Sequence, residues 1–164
     1  MCGFSGIYSK LSISSSSHLN LIKKMNNTLS HRGPDAEGLR LSNDSKCIFG
    51  HRRLSIIDLD SKANQPMSSN CKKVHLVFNG EIYNFKELKN EISKINNLKW
   101  ITDHSDTEVI LNAYLTWGID CIKKFNGMFA IAIYDERSHK PILHLIRDRI
   151  GIKPLYLTLS SNNE

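Results

Sequence analysis

Cysteine at position two, behind a single methionine, offers more chemistry than any other residue of this 164-residue chain. Removal of Met1 would leave a thiol and a free α-amine on one α-carbon. A thiol titrates at about 8.5 and an α-amine at about 7.7 to 8, so near neutral pH the amine can relay the thiol proton through a water. Thiolate attack on a carbonyl then becomes feasible. The plain alternative is a small buried hydrophobe, the usual state of a free cysteine.

Four other stretches carry more polar chemistry than a fold requires. His31-Arg32-Gly33-Pro34-Asp35 is a turn on any reading, because Gly and Pro set its backbone. In His51-Arg52-Arg53-Leu54-Ser55-Ile56-Ile57-Asp58, an arginine at a strand end could grip a carboxylate with two parallel hydrogen bonds, or form an ordinary surface ion pair. Asn79-Gly80 is the dipeptide preferred by a two-residue hairpin turn. It could equally supply an oxyanion hole, through the Asn79 amide and the Gly80 N–H. Glu81 follows at once and could hold an ammonium. Asp106 has the same option, although a carboxylate at a helix start is favoured by the dipole alone. A thiol, an oxyanion hole, an arginine and two acids together are what hydrolysis of an amino acid side-chain amide would require.

Those groups need elements to hold them. Gly3 to Tyr8 reads as a strand, Ser12 to Ser17 as a serine-rich loop, and His18 to Leu29 as an amphipathic helix with Leu19, Ile22, Met25 and Leu29 on one face. Strands are expected near Gly38 to Leu41, over Cys47 to Ile57 with a break around Arg52-Arg53, and over Val74 to Phe78. The polar stretch Asp60 to Lys73 reads as a surface loop. Helices are predicted over Phe85 to Ile95 and Thr107 to Trp117, the second opened by a capping box with Ser105 as N-cap and Glu108 three residues on. A short helical piece over Ile119 to Phe125 precedes a hairpin of Met128 to Tyr134 and Ile142 to Ile146. Pro154 to Thr158 is expected to add a strand. Strands at both ends with helices between them indicate α+β with mostly antiparallel sheet, not a doubly wound parallel fold.

Composition narrows the class. The length fits one domain. A 40% hydrophobic and 23% charged chain is ordinary for a soluble globular protein. No apolar run approaches a membrane span and no secretory signal opens the chain, which predicts a cytosolic protein. Cys2, Cys47, Cys71 and Cys121 form no close pair, so neither a metal site nor a disulfide framework is expected. The net charge of +6 is scattered over short Lys and Arg pairs, as on a solvated surface and not a nucleic-acid face.

Taken in order, Met1-Cys2-Gly3, the His31 to Asp35 turn, His51-x-Arg53-Leu54-Ser55-Ile56, Asn79-Gly80-Glu81-Ile82-Tyr83-Asn84 and Ser105-Asp106-Thr107-Glu108 resemble class II glutamine amidotransferases. Asn126 to Ala130 and Arg147-Asp148-Arg149-x-Gly151-Ile152-Lys153-Pro154-Leu155-Tyr156 are similar to the glutaminase domain of glutamine-hydrolysing asparagine synthetases. The resemblance spans nearly the whole chain. It implies the N-terminal nucleophile hydrolase fold, a four-layer αββα sandwich of two antiparallel sheets, with residues 2–164 forming one glutaminase domain.

The resemblance also implies roles. Cys2 would be the nucleophile, with Asn79 and Gly80 as oxyanion hole. Arg53 would bind the glutamine α-carboxylate beside the backbone of Leu54, Ser55, Ile56 and Ile57, and Glu81 and Asp106 would take the α-ammonium. The His31 to Asp35 turn would border the site. ATP and magnesium would serve only a synthetase domain, supplied in cis or in trans. No phosphate-cradling loop of that domain occurs here, and the glutaminase domain itself is expected to be cut short at its C-terminal end. A homodimer is among the assemblies the family allows. Two alternatives stand beside this reading: an amidotransferase with another acceptor, and a catalytically silent homologue.

Overall fold

The computed structural model describes residues 2–13, 16–56 and 59–159. Its strands form two antiparallel sheets. In the first, β1 (Gly3–Tyr8), β2 (Ala36–Leu41) and β3 (Cys47–Arg53) are ordered β1-β3-β2, with Gly3 opposite Arg52 and Ala36 opposite Arg53. In the second, β4 (Met67–Ser68), β5 (Val74–Ile82), β6 (Gly127–Asp135) and β7 (Ile142–Arg147) lie in sequence order.

Each sheet is covered on its outer face by helix. Helix α1 (Ser16–Thr28) buries Ile22 against Ile48 and Ile13. Helices α2 (Phe85–Ile95) and α3 (Asp106–Trp117) bury Leu88, Ile92, Ile110 and Tyr114 against Val74, Leu76, Phe78, Ile131 and Ile133. Between the sheets, Val77, Ala132 and Tyr134 pack on Cys47 and Phe49. Side chains alternate faces along a strand, so β5 sends Leu76 and Phe78 to the helices and Val77 and Asn79 to the facing sheet. With both faces covered, β5 and β6 read as continuous apolar runs instead of alternating ones. The result is the expected α+β sandwich of four layers.

Of the two readings of Asn79-Gly80, the hairpin turn does not hold: both residues lie inside β5, opposite Ala130 and Phe129. Glycine is required there by crowding, since a Cβ on Gly80 would sit 2.1 Å from the Met128 carbonyl oxygen. Other local expectations are corrected. The capping box does not form. Ser105 is the N-cap of α3 but makes no side-chain cap, and Glu108 instead accepts the N–H groups of Ile101 and Thr102 at 2.8 and 2.7 Å. The stretch from Asp60 to Lys73 is no simple surface loop, because it holds a 3-10 turn (Ser61–Ala63), the strand β4, and buried Ala63, Gln65 and Ser69. β3 stops at Arg53, residues Gly118–Lys124 are 3-10 helix, and Pro154 to Thr158 forms no strand.

Among the described residues, no helix is long and apolar enough to cross a membrane, and no three His, Cys, Asp or Glu side chains group as metal ligands.

Candidate active site

Cys2 stands immediately before β1, and the pairing of β1 with β3 brings it beside the end of β3. The Leu54 N–H donates to its sulfur at 3.3 Å, and the thiol reaches the Leu54 carbonyl oxygen at 3.6 Å. The other cysteines have different surroundings: Cys47 and Cys121 are buried, which pushes both thiols well up (Cys121 to about 12), and Cys71 is exposed.

The His31 to Asp35 turn supports this corner from behind. Arg32 Nε donates to the Cys2 carbonyl at 3.1 Å. Gly33 packs so tightly on β3 that a Cβ would lie 2.3 Å from the Arg52 carbonyl carbon. Asp35 accepts the Ser55 N–H at 2.7 Å, and its own N–H donates to the Arg53 carbonyl at 3.0 Å. The turn therefore fixes both the backbone of Cys2 and the segment that follows Arg53.

Arg53 is buried at 7% exposure, and its guanidinium is steadied from the loop after β3. Nη1 donates to the Asp60 carbonyl at 2.9 Å and to Asn64 Oδ1 at 2.7 Å.

The edge of β5 explains why Asn79 and Gly80 are placed as they are. In an antiparallel strand, the N–H and C=O of one residue point to the same side, and successive residues alternate sides. β4 pairs with β5 only at His75 and Leu76, so beyond that point the edge has no strand partner among the described residues. Phe78 N–H donates there to Gln65 Oε1 at 2.6 Å, and the Phe78 carbonyl meets His51 Nε2 at 3.2 Å. Two residues further, the Gly80 N–H faces the same open side. Two further again, the Ile82 N–H donates to Asp106 Oδ2 at 3.2 Å. Tyr83, of the opposite parity, donates across to Asn126 on the β6 side.

Asp106 is 5% exposed, at the first turn of α3. Burial pushes its carboxyl up to about 6; the nearby Glu81 charge adds to this, and the N–H groups of Ile82 and Thr107 oppose it. Two acids whose charges repel in a sheltered site are suited to a cation, whose arrival would relieve both burial and repulsion.

These residues border one cavity of about 140 Å³. Cys2, Arg53, Leu54 and Ile56 line it from the β1–β3 side, and Asn79, Gly80, Glu81 and Asp106 from the β5–α3 side. Ser55 lies outside the lining and serves Asp35 instead. Ile57 lies outside the described residues. Residues that sequence reasoning did not single out also line the cavity, chiefly Gln65, Thr107, Met128 and Lys153. Gln65 sits in a stretch whose polarity suggested solvent, yet it is 7% exposed and donates to Thr107 Oγ1 at 3.2 Å. Lys153, 4% exposed, belongs to the Arg147 to Tyr156 motif, which was the available signal.

Two face-to-face antiparallel sheets between helical layers, with Cys2 at the cavity, have the fold of an N-terminal nucleophile hydrolase. The structure is similar to the glutamine phosphoribosylpyrophosphate amidotransferase of B. subtilis, with a TM-score of 0.67 at 18% identity over 88% of this chain and 37% of that one. The chain belongs to the glutamine amidotransferase domain family, whose model matches residues 1–164. It is 39% identical to a putative glutamine-hydrolysing asparagine synthetase of Methanocaldococcus jannaschii, over 99% of this chain and 33% of that protein. Asparagine synthetase 1 of Bacillus subtilis is 42% identical over 96% of this chain and 24% of its own length. Amidase chry2 of Gibberella zeae is 35% identical over 99% of this chain and 25% of its own length. The chain thus spans a third or less of the last three relatives.

Proposed function

We propose that residues 2–164 are the glutaminase unit of a glutamine-hydrolysing asparagine synthetase and release ammonia from the side-chain amide of L-glutamine. The observation that carries this reading is the single cavity bordered by the Cys2 thiol, the buried Arg53 and the Glu81–Asp106 pair, one group for each part of that substrate.

With Met1 removed, the α-amine takes the Cys2 proton, directly or through a water, and the sulfur attacks the amide carbon. The oxygen becomes negative and is received by the Asn79 amide and the Gly80 N–H. Arg53 holds the α-carboxylate and Glu81 with Asp106 the α-ammonium, so binding the rest of the molecule fixes the reacting carbon over the sulfur. Collapse of the tetrahedral species breaks the C–N bond, and the nitrogen leaves as ammonia with the proton held by the α-amine. Water then cleaves the thioester, giving glutamate and the free thiol.

The ammonia goes to an ATP- and magnesium-dependent synthetase domain that activates aspartate. That domain is a partner of this one, in cis or in trans, in the cytoplasm.

Intact mass and glutaminase assay test the reading. The active chain should lack Met1, gain one adduct at Cys2 from a diazoketone analogue of glutamine, and lose hydrolysis on Cys2→Ala. Full activity in that variant would sink it. Adding a synthetase domain with ATP and aspartate decides the acceptor by whether asparagine forms.

A further inference from the structure

The proposed oxyanion donors sit on a strand edge that has lost its neighbour, and an edge without a ladder is free to shift. Unpaired backbone polar groups in a sheltered place require other partners. At Phe78 those partners are two side chains from different parts of the chain, Gln65 on the N–H and His51 on the carbonyl.

Their chemistry is specific. A carbonyl only accepts, so His51 Nε2 must carry the hydrogen, and Nδ1 is left with a lone pair. His51 Nδ1 has no hydrogen-bond partner among the described residues, which agrees with that tautomer. The ring is fully buried, and burial draws its pKa down to about 4, so it stays neutral at any pH where the thiol chemistry runs. Gln65 presents its oxygen to Phe78, and its nitrogen donates to Thr107 Oγ1 beside Asp106.

The location matters as much as the bonds. His51 is in β3, whose partner β1 follows Cys2, while Phe78 is in β5, directly before Asn79 and Gly80. The two sheets share no ladder. The His51–Phe78 hydrogen bond therefore joins the sheet carrying the nucleophile to the strand carrying the oxyanion donors, one residue from those donors.

We propose that His51 and Gln65 are positioning residues that clamp the Phe78 backbone and so set the Asn79 and Gly80 donors at their working distance from Cys2. The inference rests on the glutaminase reading above and adds to it two residues that act through the Phe78 backbone. A shift of the donors weakens the transition state more than the bound substrate, because the negative oxygen exists only during attack.

The test uses the 164-residue chain with His51→Leu, His51→Gln, His51→Asn and Gln65→Met. Three quantities are read: kcat and KM for glutamine, the rate of Cys2 alkylation by iodoacetamide scored on the Cys2 peptide so that exposed Cys71 does not interfere, and inhibition by the γ-aldehyde of glutamine. The aldehyde adds the Cys2 S–H across its C=O bond to give a hemithioacetal, whose oxygen takes the oxyanion position without any leaving group. His51→Leu and Gln65→Met should lower kcat by about tenfold or more and weaken the aldehyde in parallel, with KM and alkylation changing by less than about threefold. His51→Gln keeps an N–H at the reach of Nε2 and should restore most of the rate. His51→Asn, whose donor stops one bond short, should not, and it serves if the leucine variant fails to fold.

Unchanged kcat in these variants overturns the proposal. So does a loss spread equally over KM, alkylation and aldehyde binding, which would mark general loosening. A parent chain without Cys2-dependent glutaminase overturns the underlying reading, and the proposal with it.

Discussion

Arg53 Nη1 lies 2.7 Å from Asn64 Oδ1, so the arginine proposed to grip the substrate carboxylate is itself gripped by the loop after β3. A guanidinium is a planar fork, and holding one corner fixes the direction of the rest. Asn64→Ala should leave kcat nearly unchanged and raise KM for glutamine by roughly tenfold, the equivalent of one hydrogen bond to a charged group. Arg53→Lys should raise KM further, because an ammonium has no planar fork that can hold Asn64 and the Asp60 carbonyl at one corner and present two parallel N–H groups to a carboxylate. Steady-state kinetics of the two variants check both expectations.

The oxyanion donors differ in how they can be removed. Asn79→Ala deletes a side-chain donor without touching β5 and should lower kcat by about 100 to 1,000-fold. Gly80→Ala keeps the N–H but adds a methyl 2.1 Å from the Met128 carbonyl, so it should displace the β5–β6 pairing. The alanine at position 80 is therefore expected to lower both Tm and kcat, whereas the alanine at position 79 lowers kcat alone. A thermal melt beside each rate measurement separates them.

Asp106 makes glutamine binding depend on pH. Its carboxyl titrates at about 6, above the ordinary range, because it is buried and close to Glu81. The ionised form is the one that pairs with an ammonium, so KM should be flat above pH 6 and rise as pH falls below it, by up to about tenfold per pH unit. Asp106→Asn should raise KM at neutral pH and remove most of that dependence. The linkage to folding has the opposite sense. A raised carboxyl favours the folded state most below the unfolded pKa of about 3.9, and that contribution is lost as pH climbs through 6.

The sequence makes some of this legible and hides the rest for physical reasons. Helix α2 shows in the spacing of Leu88 and Ile92, because one face is buried, and α3 in the apolar run of Val109, Ile110, Ala113 and Tyr114, because it is buried on nearly every side. The group around the cavity is legible through its motifs, since Cys2, Arg53, Asn79, Glu81 and Asp106 are each chemically conspicuous. Gln65 and His51 are harder to find: their partner is the backbone of Phe78, and a backbone group leaves no mark on the sequence. Asn79-Gly80 is ambiguous because glycine serves two purposes, positive φ and closeness to a neighbouring strand, and Gly80 meets both inside β5 (φ 159°) instead of in a turn. Glu108 misleads in the same way, having a capping position but a better set of donors in Ile101 and Thr102.

Asp148 gives the last prediction. It follows β7, is 5% exposed, and accepts the N–H groups of Phe129, Ile152 and Lys153 at 3.1, 2.8 and 2.9 Å. Burial alone would raise its carboxyl, but the backbone donors outweigh it and hold the pKa below the ordinary range. Phe129 is the partner of Gly80 across β5 and β6, and Lys153 lines the cavity, so one carboxylate ties the wall of the site to the segment that closes it. Asp148→Asn removes the charge and turns an N–H₂ toward N–H donors, which should cost about 2 kcal/mol and lower Tm by roughly 4 to 8 °C. A depressed carboxyl contributes stability above its unfolded pKa and loses it as pH falls through the folded one. The difference in Tm between parent and variant should therefore be full at neutral pH and shrink below about pH 4. An equal difference at pH 3 and pH 7 would mean that Asp148 acts through packing and not through its charge.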